Sequence, residues 1–285
     1  LKRFESLDAV RKYLGADPIL SKFACITKQK DGRTKHRIVL DLRQSMVTRS
    51  TRKRWRAILP RILDLVADTL DLATDVEQDE LLEFLILDFL DAFWNIPLSR
   101  GERKFFVGKV REYFYVYLRA AQGSRNGPLA WAAVISLVSR CVQSLFWSAP
   151  NGKRAPENMR SEIYVDDPAV VARGTKVQRD RIFATVVVTW RLLGFNMAFS
   201  KAKRGYCVDW IGNTIEVELY NRRVSATIKE NRVNELRELT EEILKSNILG
   251  KKPLRSYAGK CVSFSSLLLT WKPFLSELWA VLRDI

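Results

Sequence analysis

Between residues 81 and 98 the chain reads Leu81-Leu82-Glu83-Phe84-Leu85-Ile86-Leu87-Asp88-Phe89-Leu90-Asp91-Ala92-Phe93-Trp94-Asn95-Ile96-Pro97-Leu98, and one residue in it limits what the fold can be. A run this apolar reads as a strand covered on both faces. Asp88 then stands where such a strand should hold hydrocarbon, and an ionised carboxylate left there without a partner is costly. Asp88 therefore either ends the strand and caps the next element, or meets a cation inside the fold. Asp91 is the better cap, because Asp91-Ala92-Phe93-Trp94 reads as the first turn of a helix entered from the strand. That leaves Asp88 for the cation.

A second acidic feature lies downstream, where Ser161-Glu162-Ile163-Tyr164-Val165-Asp166-Asp167-Pro168-Ala169-Val170-Val171 places two adjacent aspartates between short apolar runs. The runs read as the arms of a β-hairpin and the aspartates as its tip. Two readings of the tip stand side by side. Asp and Pro are favoured turn residues, so the tip can be an acidic surface turn. Neighbouring carboxylates on a tight turn also repel, and a hard, oxygen-seeking cation relieves that repulsion, with magnesium the natural candidate.

Charge narrows the class of partner. The 285 residues hold 48 Lys plus Arg against 32 Asp plus Glu, a formal net charge of +16, which suits a protein that grips phosphate backbones. With 47% hydrophobic residues, 8 Trp and 14 Phe, the chain can bury a real core and is not a basic tail. Cys25, Cys141, Cys207 and Cys261 form no Cys-x-x-Cys pair and only one His is present, which argues against zinc and against a disulfide framework. No apolar run reaches membrane-spanning length, and the sequence opens without Met or a signal peptide. These features predict an intracellular protein of cytoplasm or nucleus, not secreted, whose sequence begins mid-protein.

Basic residues dominate 22–56, including Lys28, Lys30, Arg33, Lys35, Arg37, Arg43 and the cluster Arg52-Lys53-Arg54-Trp55-Arg56. Within this stretch Asp31-Gly32 is a two-residue hairpin signal between strand-like arms. Acids dominate 64–83, and their spacing with Ile62, Leu63, Leu65, Val66 and Leu70 predicts an amphipathic helix with a solvated outer face and no catalytic role. Residues 128–146 read as a buried helix begun by Pro128, with Asn126 or Gly127 as its cap and Gln122-Gly123 in the loop that enters it. Residues 177–193 read as a helix that turns Ile182, Phe183, Val186, Val187, Trp190 and Leu193 to a core and stops at Gly194. From Val224 onward the composition predicts helices, one over 227–245 and another from Pro253, separated by Gly250.

Five of these segments, in this order, resemble the palm motifs of reverse transcriptases of retroviral and long-terminal-repeat retrotransposon type. Asp88-Phe89-Leu90-Asp91-Ala92-Phe93 is similar to the first, Gln122-Gly123 followed by Pro128 to the nucleotide-pocket motif, and Tyr164-Val165-Asp166-Asp167 to the Tyr-x-Asp-Asp motif. Leu193-Gly194-Phe195 with Lys201, and Trp210-Ile211-Gly212, resemble the fourth and fifth. Five ordered matches over more than half of a chain are far more specific than any one of them.

The resemblance implies an α+β right-hand polymerase fold: fingers over 1–75, palm over 76–98, more fingers over 99–122, palm over 123–222 and a helical thumb over 223–285. It implies an RNA-directed DNA polymerase of a retroelement polyprotein, extending a DNA primer on an RNA template with dNTPs and holding RNA–DNA or DNA duplex. Asp88, Asp166 and Asp167 are then the ligands of two Mg²⁺ ions, with Mn²⁺ as a substitute. Lys201, or Lys203 nearby, protonates the leaving pyrophosphate. Arg37 contacts the α-phosphate, and Lys30 or Lys28 the γ-phosphate. Asp91, Ala92 and Phe93 line the sugar pocket, with the Phe93 ring excluding a 2′-hydroxyl, and Gln122 and Gly123 contact sugar or base. Tyr164 lies near the primer end, and Trp210, Ile211 and Gly212 form the primer grip. The loop Ser124-Arg125-Asn126-Gly127 departs from the commoner family loop, which bears on how the template strand is held.

Two other readings share parts of this pattern. An RNA-dependent RNA polymerase usually has an acidic group at the place Phe93 occupies. A catalytically inactive, reverse-transcriptase-derived RNA-binding scaffold would be marked by loss of a metal aspartate, and all three are present.

Overall fold

A computed structural model of the chain describes residues 1–30, 32–52, 55–74, 76, 79–146, 158–220, 223–246 and 248–284. In chain order its elements are β1 (Lys2–Phe4), α1 (Leu7–Leu14), β2 (Leu20–Lys30), β3 (Arg33–Asp41), α2 (Val47–Ser50), α3 (Ile62–Ala73), β4 (Leu81–Ile86), β5 (Val107–Val110), β6 (Tyr113–Val116) and α4 (Gly127–Ser144). There follow β7 (Met159–Tyr164), β8 (Asp167–Gly174), α5 (Lys176–Leu192), β9 (Lys203–Gly205), β10 (Cys207–Trp210), β11 (Asn213–Glu218), β12 (Arg223–Ile228), α6 (Glu230–Lys245), α7 (Lys251–Ser265) and α8 (Lys272–Asp284). They group into two compact units, one of Leu1–Ile58, Phe89–Val138 and Gly194–Asn196, the other of Leu59–Asp88, Ser139–Leu193 and Met197–Ile285.

The first unit is built on a five-stranded sheet of order β1-β6-β5-β2-β3. Its long arm is the β2–β3 hairpin, closed by the pair Lys30 and Arg33 and turned through Gly32 at φ 70°. Asp31 of the predicted turn, the Lys30 side chain, and Lys53 and Arg54 of the basic cluster lie outside the described residues. Leu40, Leu42, Tyr117 and Ala121 form a buried core under this sheet. A second cluster sets Phe89, Trp131 and Phe195 edge to face, with centroids 5.6–5.9 Å apart.

The second unit holds the start of the apolar run, up to Asp88, and the strand in it ends at Ile86, two residues before that aspartate. β4 is an inner strand of an antiparallel sheet of order β7-β8-β4-β9. Phe84 and Ile86 of β4, Ala169 and Val171 of β8, and Ile62, Leu65 and Leu72 of α3 form its core with Trp210 and Ile215. Glu83 tolerates burial in β4 because Arg204 and Arg179 donate to it at 2.7 and 3.0 Å. A second sheet, β10-β11-β12, leads into the helices α6, α7 and α8.

Four local expectations are corrected. Asp91 does not cap a helix: it lies at φ 53° without a side-chain cap bond, and a short 3₁₀ turn (Ala92–Asn95) comes after it. The main chain closes that turn, the Asp91 carbonyl accepting from the Trp94 amide at 2.7 Å and the Phe93 carbonyl from the Ile96 amide at 3.1 Å. The helices expected from Val224 onward start late: Arg223–Ile228, with β-branched Val224, Thr227 and Ile228, form β12 paired to β11, and α6 begins only at Glu230. Leu193 is exposed, because α5 ends at Leu192 before its last turn can face the core. Asp68, on the supposedly solvated face of α3, is largely covered, its side chain 20% exposed.

Candidate active site

The β7–β8 hairpin pairs Tyr164 with Asp167, so its loop is Val165 and Asp166, and Asp167 is the first residue of β8. Val165 lies at φ 56°, a region that β-branched residues rarely enter, and this left-handed residue makes the reversal tight. Asp166 is exposed and Asp167 half-buried.

The chain leaving β4 is tied to the same end of the sheet. The Leu87 amide donates to the Pro168 carbonyl at 3.0 Å, and the Asp88 carbonyl accepts from the Ala198 amide at 2.9 Å. Asp88, two residues past the strand, therefore stands near the hairpin tip with its side chain only 18% exposed. Lys201, at the end of a short 3₁₀ turn (Phe199–Lys201), brings its ammonium to 2.5 Å from Asp88 Oδ2. Lys203 is committed elsewhere, to Asp209 at 2.8 Å.

The electrostatics at the tip result from this crowding. Burial, then the charges of Asp166 and Asp88, push Asp167 up to about 6, while Lys201 pulls it down. Among the described residues no three carboxylate, imidazole or thiolate side chains stand as a finished metal cluster. The donor chemistry nevertheless suits a hard divalent cation: the groups are carboxylate oxygens, their mutual repulsion is felt at Asp167, and Lys201 is the cation bound to Asp88.

Trp210 is 2% exposed and its indole Nε1–H donates to the Asp167 carbonyl at 2.9 Å. That bond fixes the main chain of a tip aspartate from a different sheet, and nothing in the sequence marks it, since buried Trp is ordinary core. Ile211 at φ 42° and Gly212 at φ 80° form the two-residue turn from β10 to β11. Tyr164 is exposed beside the tip.

The remaining predicted residues belong to the first unit. Arg37 stands exposed on β3 opposite Ile26. The Gln122 carbonyl accepts from the Leu40 amide at 3.2 Å, and Gly123 at φ 103° presses so close that a Cβ there would come within 2.6 Å of the Leu40 carbonyl oxygen. Only glycine allows this approach. Gln122 Oε1 is shielded from solvent without a hydrogen-bond partner. Ala92 is buried and Phe93 half-buried in the 3₁₀ turn after Asp91.

An antiparallel sheet that offers two aspartates at a hairpin tip and a third at a neighbouring strand end, beside a helix-rich C-terminal segment, defines the class: the right-hand polymerase fold. A family model described as reverse transcriptase (RNA-dependent DNA polymerase) matches residues 26–215, and the chain belongs to that family. Similar solved structures include a foamy viral protease-reverse transcriptase in complex with RNA/DNA hybrid, at 15% identity and TM-score 0.57, covering 99% of this chain and 31% of that one. Two others are a foamy viral protease-reverse transcriptase dRH with ds DNA (17% identity, TM-score 0.55, covering 93% and 39%) and the protease-reverse transcriptase with dsDNA (16%, 0.55, covering 94% and 52%). At these identities the likeness is one of fold, and the chain spans about a third to a half of those proteins' length. No curated protein matches the chain. Among the described residues no helix is long and apolar enough to cross a membrane.

Proposed function

We propose that this chain is the polymerase portion of a retroelement reverse transcriptase, extending a primer 3′-hydroxyl with dNTPs on an RNA template. The observation that carries the reading is the meeting of Asp88 with the Tyr164–Asp167 turn under one shared electrostatic field, in a chain of this family. Asp88, Asp166 and Asp167 would hold two Mg²⁺ ions, or Mn²⁺ in their place; when bound, these acidify the 3′-hydroxyl and neutralise the triphosphate.

The chain's own groups take the other roles. The three carboxylates act as ligands and not as general bases. Lys201, within reach of Asp88, is placed to give a proton to the leaving pyrophosphate. Arg37 and a hairpin lysine, Lys30 or Lys28, neutralise phosphate oxygens. Gly123, whose missing Cβ lets this loop pack on the Leu40 carbonyl, and Gln122 contact sugar or base, with Gln122 Oε1 an acceptor awaiting a donor. Asp91 and Ala92 flank the sugar, and Phe93 closes the space a 2′-hydroxyl would need. Tyr164, with Trp210, Ile211 and Gly212, holds the primer end, while α6 and α7 track the duplex backbone without reading sequence. The RNA/DNA hybrid and dsDNA named for the similar structures support these partners. Fingers over 1–75 and 99–122, palm over 76–98 and 123–222 and thumb over 223–285 remain our proposed division.

Primer extension on an RNA template tests the proposal. Wild-type protein should extend with dNTPs and not rNTPs, and Asp166→Asn and Asp167→Asn should abolish extension. Extension with rNTPs alone overturns the deoxynucleotide assignment, and full activity in the Asn variants overturns the metal site. A duplex-binding protein that extends nothing is the scaffold alternative.

A further inference from the structure

The turn Ile211-Gly212 is a weak place on which to rest a primer. It has two residues, both at positive φ, and one of them, Ile211, is β-branched. Left alone, such a turn sits well above its easiest conformation. Something outside the β10–β11 hairpin has to hold it.

That something is a side chain of α6. Arg232 Nη1 donates to the Gly212 carbonyl at 2.7 Å, and Nη2 of the same guanidinium donates to Ser263 Oγ of α7 at 2.7 Å. The guanidinium lies 5.5 Å from the centroid of the Phe264 ring, itself part of the buried core of α6, α7 and α8. A Cβ on Gly212 would collide with Arg232, so the glycine also makes room for the bond. Nearby, Asp209 of β10 is held by Lys203, by Lys229 just before α6, both at 2.8 Å, and by Thr214 of β11 at 2.9 Å. At the other end of the turn, the preceding residue Trp210 donates to the Asp167 carbonyl. The result is one hydrogen-bonded line: Asp167, Trp210, the turn, Arg232, Ser263.

We propose that Arg232 is a positioning residue for the reaction, locking the turn Ile211-Gly212 to α6 and α7 so that the primer end keeps its register against the Asp167 side of the catalytic hairpin. This rests on the reading of residues 210–212 as the primer grip. Arginine is needed for its shape as much as its charge. A planar fork meets a carbonyl and a hydroxyl from one edge, whereas a lysine ammonium is a point donor that cannot span both without moving. Among the described residues its guanidinium meets the Gly212 carbonyl, the Ser263 hydroxyl and the Phe264 ring, so the influence of Arg232 on the reaction runs through the turn.

The test uses the whole chain on a primed RNA template in single-turnover mode, separating duplex affinity from the rate of incorporating one dNTP, with 2-aminopurine at the primer terminus to report its stacking. Arg232→Ala should slow incorporation about 10- to 100-fold, the scale set by sub-ångström misplacement of reacting groups. Duplex affinity should change less than about 3-fold, and terminal 2-aminopurine should brighten. Arg232→Lys should fail to restore the rate, and millimolar guanidinium should restore part of it in Arg232→Ala where equal sodium chloride does not. Ser263→Ala, which leaves the Gly212 bond in place, should show a smaller loss of the same kind, and it carries the test if Arg232→Ala does not fold. Unchanged incorporation with a lowered melting temperature makes Arg232 structural only and overturns the proposal, as does a tenfold loss of duplex affinity at unchanged rate, which makes it a phosphate contact. A wild-type chain that incorporates no nucleotide defeats the polymerase reading instead, so the two failures are distinct.

Discussion

The β7–β8 hairpin crowds carboxylates twice, and relieves the crowding in two ways. On its flank Glu162 of β7 meets Asp68 of α3; burial first, then Asp68 and Asp64, push Glu162 up to about 7. Burial likewise lifts Asp68 to about 6, against the pull of Arg160, whose Nε lies 3.8 Å away. At the tip, Asp167 is raised to about 6 for the same reasons, burial and neighbouring acids. The flank lies between helix and sheet, where burial and neighbouring acids raise both carboxyls and favour a proton held between them. The tip is open through exposed Asp166 and is met by a cation, Lys201. A raised carboxylate is thus no mark of function by itself; access decides whether crowding holds a proton or stays open to a cation.

Removing a charge from each set should break the symmetry most visibly. Asp88→Asn removes one of the three proposed metal ligands and should cut single-nucleotide incorporation by more than the roughly 10- to 100-fold that loss of an outer-shell partner costs a metal site. Binding of Mn²⁺, followed by electron paramagnetic resonance, should weaken in parallel. Glu162→Gln on the flank should change neither by more than about 3-fold. Equal losses in both variants would show that the two clusters are one functional unit, and the contrast between flank and tip would fail.

That contrast is half legible in the sequence. Asp88, Asp166 and Asp167 stand out because each breaks a local rule, a charge in an apolar run or a charge pair on a turn, and the hairpins around Gly32 and Asp166 announce themselves over a few residues. Glu162 and Asp68 break no local rule: they lie more than ninety positions apart and each reads as a surface acid. The same holds for Lys201 with Asp88, separated by 113 residues, and for the Glu83–Arg179 pair. Only the family resemblance selects Lys201, and nothing selects Arg232, whose partners Gly212 and Ser263 meet it through packing of α6 and α7. β12 is missed although Val224, Thr227 and Ile228 favour a strand, because its six residues run directly into the helical pattern of α6 and only pairing with β11 separates the two.

The flank predicts a pH dependence of stability, with its sign fixed by linkage. In the folded chain Asp68 and Glu162 titrate near 6 and 7, above their ordinary 3.8 and 4.5. The folded state therefore holds a proton that the unfolded state has already lost. That contribution is complete below about pH 4 and fades as pH rises through 6 and 7. Glu162→Gln keeps a donor toward Asp68 at every pH, so at pH 8 it should stabilise the chain by about 2 kcal/mol, a figure discounted because both carboxyls keep some access to water. Chemical denaturation from pH 5 to pH 8 checks it. Wild-type and variant curves that run parallel would remove the shared proton from the comparison.

The smallest effect concerns how rigidly the tip is held. Gly32 turns the β2–β3 hairpin at φ 70° without strain, whereas Val165 makes a comparable reversal at φ 56° with a branched side chain. Val165→Gly relieves of the order of 1–3 kcal/mol of backbone strain and gives back about 0.5–1 kcal/mol through a freer unfolded chain. The net expectation is a gain of about 1 kcal/mol in denaturant unfolding. The incorporation rate should fall, since a turn that can relax no longer fixes where Asp166 and Asp167 point. A variant that is both less stable and fully active would mean that Val165 packing outweighs its strain, and that the tip aspartates are held by Trp210 and the β7–β8 ladder alone.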